Sequence, residues 1–220
     1  MFTFGIPKGK HIFPGCRNLF EAAGVVLERE HPVALAATLR AESLSAEGMI
    51  LQSRRMLILL ARGRIHAGIV GDDMLRESGV DVETLGELSS TPLGLPAIRV
   101  VLFAAEDDPV QTLDDIPEYS FVLTEYERLT RDFFGKVGLD VQTIPVQGGV
   151  EAEVPRLRRF GVTIVDSGTT LKANRLKEIC TIITSKPVFV VSKVATTTKE
   201  QRDEIQRFAC LLQDAVRSQA

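Results

Sequence analysis

Apolar runs of strand length alternate with helical periods along almost the whole chain, an alternation that leaves little but an α/β fold with largely parallel sheets. Residues 2–6 read as a first strand that Pro7 stops. Leu19, Phe20, Ala23, Val26 and Leu27 share one face of a helix expected over 17–27. Ile50, Leu51, Leu57, Ile58 and Ala61 share a face of a second helix, ended by Gly63. Residues 28–48 carry no clear period. Further strands are expected at 67–71, 99–105, 119–123, 139–146 and 187–192, with a helix over 127–137 that Gly138 stops and another starting near Val150. The pattern Thr197-Thr-Lys-Glu200 reads as a capping box for a last helix that buries Ile205, Phe208, Leu212 and Val216.

With 220 residues the chain is long enough for one large domain or two smaller lobes, each with a core. The charged, proline-containing stretch 106–109 and the Ser185-Lys-Pro187 break bracket a middle block with strands and helices of its own. The simplest organisation is a first lobe from residues 1–105 and 187–220 and a second from residues 106–186 inserted into it. A cleft between such lobes is a usual ligand site. The formal charge of −3 provides no global attraction to nucleic acid or to an anionic membrane, so neither is expected as a partner. Cys16, Cys180 and Cys210 lack zinc-site spacing and read as reduced structural residues. The N-terminus lacks a signal-peptide pattern, and no stretch of eighteen apolar residues occurs, which makes a cytoplasmic protein the expectation.

The segment from Thr163 to Leu176 starts as a buried strand, crosses Asp166-Ser-Gly-Thr-Thr170 and continues as an amphipathic helix. Backbone N–H groups and hydroxyls at a positive helix end suit an anion, although the same residue types are also the preferred caps of an ordinary helix. Other polar residues carry the same ambiguity. Lys8 and Lys10 follow the first strand as phosphate cations or as solvated lysines, and Glu151 either faces a ligand or favours a helix start. Asp72 and Asp73 bind or cap, with capping favoured for Asp72. Thr124, Glu125 and Tyr126 stand between a strand and a helix, where ligands gather and caps also occur. His11, His31 and His66 have no metal spacing.

Phe4-Gly-Ile-Pro-Lys-Gly-Lys10, Gly68-Ile-Val-Gly-Asp-Asp-Met-Leu75, Leu123-Thr-Glu-Tyr-Glu-Arg-Leu-Thr130, Gly149-Val-Glu151 and Gly168-Thr-Thr-Leu-Lys-Ala-Asn-Arg-Leu176 follow one another in an order that resembles the ATP phosphoribosyltransferases. The resemblance implies a two-lobed fold like the type II periplasmic binding proteins, with the active site in the interlobe cleft. It implies transfer of the phosphoribosyl group of phosphoribosyl pyrophosphate (PRPP) to N1 of ATP with Mg2+ present, the first step of histidine biosynthesis. It further implies the short form, which assembles with a regulatory subunit related to histidyl-tRNA synthetase, and a homo-oligomer of at least two copies. On this reading Ser167, Gly168, Thr169, Thr170 and Leu171 hold the 5′-phosphate. Asp166 takes a ribose hydroxyl or a magnesium-bound water, Lys8 and Lys10 meet pyrophosphate, Glu151 faces the site, and Asp73, Thr124, Glu125 and Tyr126 contact substrate.

The chain also departs from the family pattern. Lys10 stands where an arginine is usual, Arg55-Met-Leu57 where Asp-Ile-Pro is usual, and His66 where an aspartate precedes the next strand. In an ungapped match Thr163 occupies the place of an acid and Asp166 that of a serine; a three-residue gap instead aligns Ile164-Val-Asp166 with the acid. Two further readings follow: the same fold with another acceptor, suggested by Arg55 and His66, or a non-catalytic binder of a small ligand.

Overall fold

A computed structural model describes residues 1–9, 12–42, 44–157, 159–166 and 168–219. The chain divides into two compact units, Met1–Ala97 with Lys186–Ala220, and Ile98–Ser185. The boundary expected after residue 105 is thereby corrected: the strand that starts at Ile98 pairs only within the second unit's sheet.

In the first unit, strands β1 (Phe2–Pro7), β2 (Val26–Glu28), β3 (Ala36–Ala41), β4 (Leu44–Leu51), β5 (Ala67–Gly71), β6 (Val82–Glu87) and β12 (Pro187–Ser192) form a sheet in the order β2-β3-β4-β1-β5-β12-β6. Its helices are α1 (Ile12–Ala22), α2 (Ser53–Ala61), α3 (Asp72–Ser78) and α7 (Lys199–Arg217). β4, β1 and β5 run parallel, and the flanking pairs are antiparallel, so the sheet is mixed rather than largely parallel. One face buries Phe2, Phe4, Phe20, Phe189 and Phe208, with the Phe4 and Phe208 rings edge to face at 5.1 Å. The other packs Met56, Leu57, Leu60 and Ile65 against Val70, Val188 and Val190.

The second unit has the sheet order β11-β7-β10-β8-β9, from β7 (Ile98–Ala105), β8 (Ser120–Thr124), β9 (Val141–Pro145), β10 (Phe160–Val165) and β11 (Leu176–Ser185). α4 (Glu127–Val137), α5 (Val150–Leu157) and α6 (Thr169–Ala173) accompany it. Here β10, β8 and β9 are the parallel strands. Val150 and Val154 of α5 pack on Val101, Phe103, Leu123 and Val165. α5 comes close to β10 because residue 161 is glycine: a Cβ there would stand 2.7 Å from Val154 Cγ2 and closer still to the Phe103 ring.

The helix expected over 17–27 instead spans Ile12–Ala22. Gly24, at φ +67°, turns the chain, and Val26 and Leu27 enter β2. Ile50 and Leu51, expected in a helix, end β4 and pair with Ile6 and Pro7. The unpatterned 28–48 region holds the β3–β4 hairpin. The last helix is capped by Thr198 with Gln201, one residue later than the box expected at Thr197 and Glu200.

Phe208 joins the final helix to β1 through ring contacts with Phe2 and Phe4. Phe208→Ala is expected to destabilise the first unit by about 3–5 kcal/mol, read as a lower urea midpoint for that unit's unfolding.

Candidate functional site

In a parallel trio every strand delivers its following residues to one edge of the sheet, and α/β proteins gather ligands there. The first unit's edge receives the ends of β1, β4 and β5. The Lys8 N–H donates to the Leu51 carbonyl at 2.6 Å, tying the ends of β1 and β4, while its side chain is exposed. Lys10 and His11 lie outside the described residues. Arg55, also exposed, is in the first turn of α2, whose N-cap Gln52 makes no side-chain capping bond. At the end of β5 the N-cap of α3 is Gly71, so the capping expected of Asp72 is corrected. Its Oδ2 accepts from Arg76 Nε at 2.7 Å. Asp73 is buried at 2% exposure in the same turn.

His66 is placed at the opposite end of β5. Its Nδ1 accepts the Thr3 N–H at 3.1 Å, and its own N–H donates to the Thr3 carbonyl at 3.0 Å. The imidazole and the backbone N–H of His66 tie β1 to the start of β5, roughly 20 Å along the strand from Asp72 at about 3.3 Å per residue. The change at His66 therefore serves strand pairing, which removes its support for an altered acceptor.

In the second unit the ends of β8, β9 and β10 share an edge. Thr124 and Tyr126 are locked into it: Thr124 Oγ1 lies 2.9 Å from Thr130 Oγ1 and accepts the Tyr126 N–H at 2.8 Å, and the Tyr126 carbonyl accepts from Thr130 Oγ1 at 2.6 Å. Both are buried, and the Thr124 hydroxyl is occupied in shaping the turn into α4, whose N-cap is Tyr126 and not Thr124. Glu125 is half-buried, and its Oε1 lies 3.9 Å from where a Cβ on Gly148 would stand, beside the turn that leads to α5. Glu151 sits in the first turn of α5, and its Oε1 accepts from Thr163 Oγ1 of β10 at 2.9 Å.

The turn after β10 keeps its polar groups outward. Asp166, Thr169 and Thr170 are exposed, and Gly168 takes φ +73°, a left-handed conformation that glycine adopts without strain. Ser167 lies outside the described residues. Leu171 is corrected as a contact through its side chain, which is buried at 4% with Val165 and Leu176. The helix expected to reach Leu176 ends at Ala173 after five residues. So short a helix adds little dipole, and anion recognition in this turn falls to its amides and hydroxyls.

Among the described residues no group of three histidine, cysteine or carboxylate side chains could hold a metal. Burial raises the Cys16 thiol far above its ordinary range. Burial and then the nearby Glu178 charge push Cys180 up to about 11. Neither is a thiolate nucleophile near neutral pH.

Two α/β units, each built on a central trio of parallel strands, give the chain the fold of the type II periplasmic-binding-protein class. The periplasmic aliphatic sulphonate-binding protein SsuA from Escherichia coli shares the fold at TM-score 0.61 and 15% identity, over 99% of this chain and 70% of that one. The ATP phosphoribosyl transferase (HisG:HisZ) complex from Thermotoga maritima contains a chain similar at TM-score 0.77 and 22% identity, over 99% of this chain and 100% of that one. The sequence matches the family model described as HisG, ATP phosphoribosyltransferase, over residues 52–214. The ATP phosphoribosyltransferase of Thermodesulfovibrio yellowstonii is 28% identical over 98% of this chain and 72% of its own length. The chain belongs to the ATP phosphoribosyltransferase family. The expected two-lobed α/β fold class stands.

Missing from the sequence reading was the link between Glu151 and Thr163. The ungapped match marks Thr163 as a departure, but the bond depends on how α5 docks over β10. A labelling experiment checks the burial of the thiols. With the folded protein at pH 8, exposed Cys210 is expected to react promptly with a thiol reagent and Cys180 slowly, while Cys16 reacts only after unfolding. Prompt reaction of Cys16 in the folded protein contradicts the packing of α1.

Proposed function

We infer that this chain transfers the phosphoribosyl group of PRPP to N1 of ATP, opening histidine biosynthesis. A new bond forms between adenine N1 and the ribose C1 as the bond from C1 to the pyrophosphate oxygen breaks, and pyrophosphate departs with the electron pair. Carrying the reading is one observation: in a chain of this family, Lys8, Asp73, Glu125, Glu151, Asp166, Gly168, Thr169 and Thr170 all fall at the carboxyl ends of parallel strands. Positioning and electrostatics supply most of the acceleration in such a transfer, because the reacting carbon gains positive charge and the leaving group negative. In the second unit the amides and hydroxyls of Gly168, Thr169 and Thr170, with Ser167, take the 5′-phosphate, and Glu151 takes ribose hydroxyls. In the first unit Lys8 and Lys10 supply cations for phosphate oxygens, and Arg55 adds another on the same edge.

Magnesium enters this reading bound to phosphate oxygens, which provide ligands that a protein cage otherwise must; Asp166 takes one of its waters. A regulatory subunit also belongs to it, because the similar Thermotoga maritima chain was solved in a HisG:HisZ complex. So do assembly with further copies and a cytoplasmic location. No helix among the described residues is long and apolar enough to cross a membrane.

Purified protein with ATP, magnesium and PRPP, with and without a regulatory subunit related to histidyl-tRNA synthetase, is expected to raise the absorbance of phosphoribosyl-ATP. Silence in both arrangements overturns the assignment. Gly168→Val, which forces a β-branched residue into a left-handed conformation, is expected to weaken PRPP binding about tenfold or more by displacing the turn; calorimetric titration of PRPP with magnesium measures it.

A further inference from the structure

Glu151 is a candidate carboxylate whose oxygen is held by a side chain from the neighbouring strand, and the way it is held has a definite cause. The β10 residues that face α5 are Gly161, Thr163 and Val165. Gly161 leaves room for Val154, and one turn earlier on the helix Glu151 comes to rest over Thr163. Thr163 is 7% exposed and fixed in a strand paired on both flanks, to β7 and to β8. A β-branched side chain in that setting has little rotamer freedom, so its hydroxyl is a donor at a fixed point. Oε1 of Glu151 accepts that donor at 2.9 Å, a charge-assisted bond and hence of the stronger kind.

We propose that Thr163 is a positioning residue for PRPP binding: its hydroxyl holds Oε1 of Glu151, so that Oε2 is aimed at the ribose hydroxyls. This rests on the reading that Glu151 grips the ribose. A glutamate side chain in the first turn of a helix has three rotatable bonds, and freezing them before the ligand arrives lowers the ordering cost of binding. A carboxylate at 163 could not do this, because two ionised groups at hydrogen-bond distance repel. At position 163 this chain places a neutral donor beside Glu151.

The test is calorimetric titration of PRPP with magnesium into the full chain and into Thr163→Val, Thr163→Ser, Glu151→Ala and the double variant Thr163→Val with Glu151→Ala. Valine keeps the shape and the strand preference and removes only the hydroxyl. Its binding is expected to weaken about tenfold or more, as loss of one hydrogen bond to a charged group implies. Serine, which restores the donor, is expected to recover most of the affinity. In the Glu151→Ala background the valine change is expected to be silent, since its only effect runs through that carboxylate. Unchanged affinity in Thr163→Val, or a loss that adds in full to that of Glu151→Ala, overturns the proposal. Full affinity in Glu151→Ala, or no heat from the unaltered chain, is a different result: it removes the site reading itself, and this inference with it. Should Thr163→Val fail to fold, Thr163→Ala in the same cycle reads the same coupling.

Discussion

Parallel pairing at the centre of each sheet is the constraint on which the rest depends. β4, β1 and β5 in one unit, and β10, β8 and β9 in the other, each point their carboxyl ends to a single edge. Parallel strands need crossover connections, and those crossovers are the helices α2, α4 and α5, whose starts lie beside the strand ends. Lys8, Asp73, Glu125, Glu151 and Asp166 are scattered over more than half the chain, yet topology alone assigns each to one of two edges. The antiparallel strands added outside each trio close the sheets and supply packing surface without disturbing that arrangement.

Elements with strong, regular periods could be read from the sequence, and elements with interrupted ones could not. The helix over 127–137 with its glycine stop, the strand at 67–71 and the strand at 187–192 closely match α4, β5 and β12, because single apolar faces or continuous apolar runs leave one solution. β11 was hidden because its pairing shifts register between Glu178 and Cys180 and again between Thr181 and Ile183, which destroys the alternation of two that marks a strand. The β3–β4 hairpin was hidden by alanine, serine and threonine, whose small side chains register weakly in a hydropathy pattern.

The candidate site divides along similar lines. Motif order found the loops, and the structure sorted their residues by which atoms are already occupied. Thr124 and Tyr126 prove to be parts of a buried turn, Leu171 a core residue and Asp72 the partner of Arg76, whereas Asp166, Thr169 and Thr170 remain at the surface. The bonds of Thr124 and Asp72 join near neighbours in sequence, whereas the bond of Glu151 to Thr163 joins a helix to a strand that follows it, and no local pattern encodes it.

The edge-to-face rings of the first unit bear on how the molecule is made. Phe2 and Phe4 leave the ribosome before the whole of the second unit, and the ring they pack against, Phe208, leaves after it. The first unit must hold an open apolar face until α7 has emerged, whereas residues 98–185 are contiguous and can settle while translation continues. Nascent chains stalled before residue 199 lack α7 altogether, so the first unit starts before the second and is completed after it.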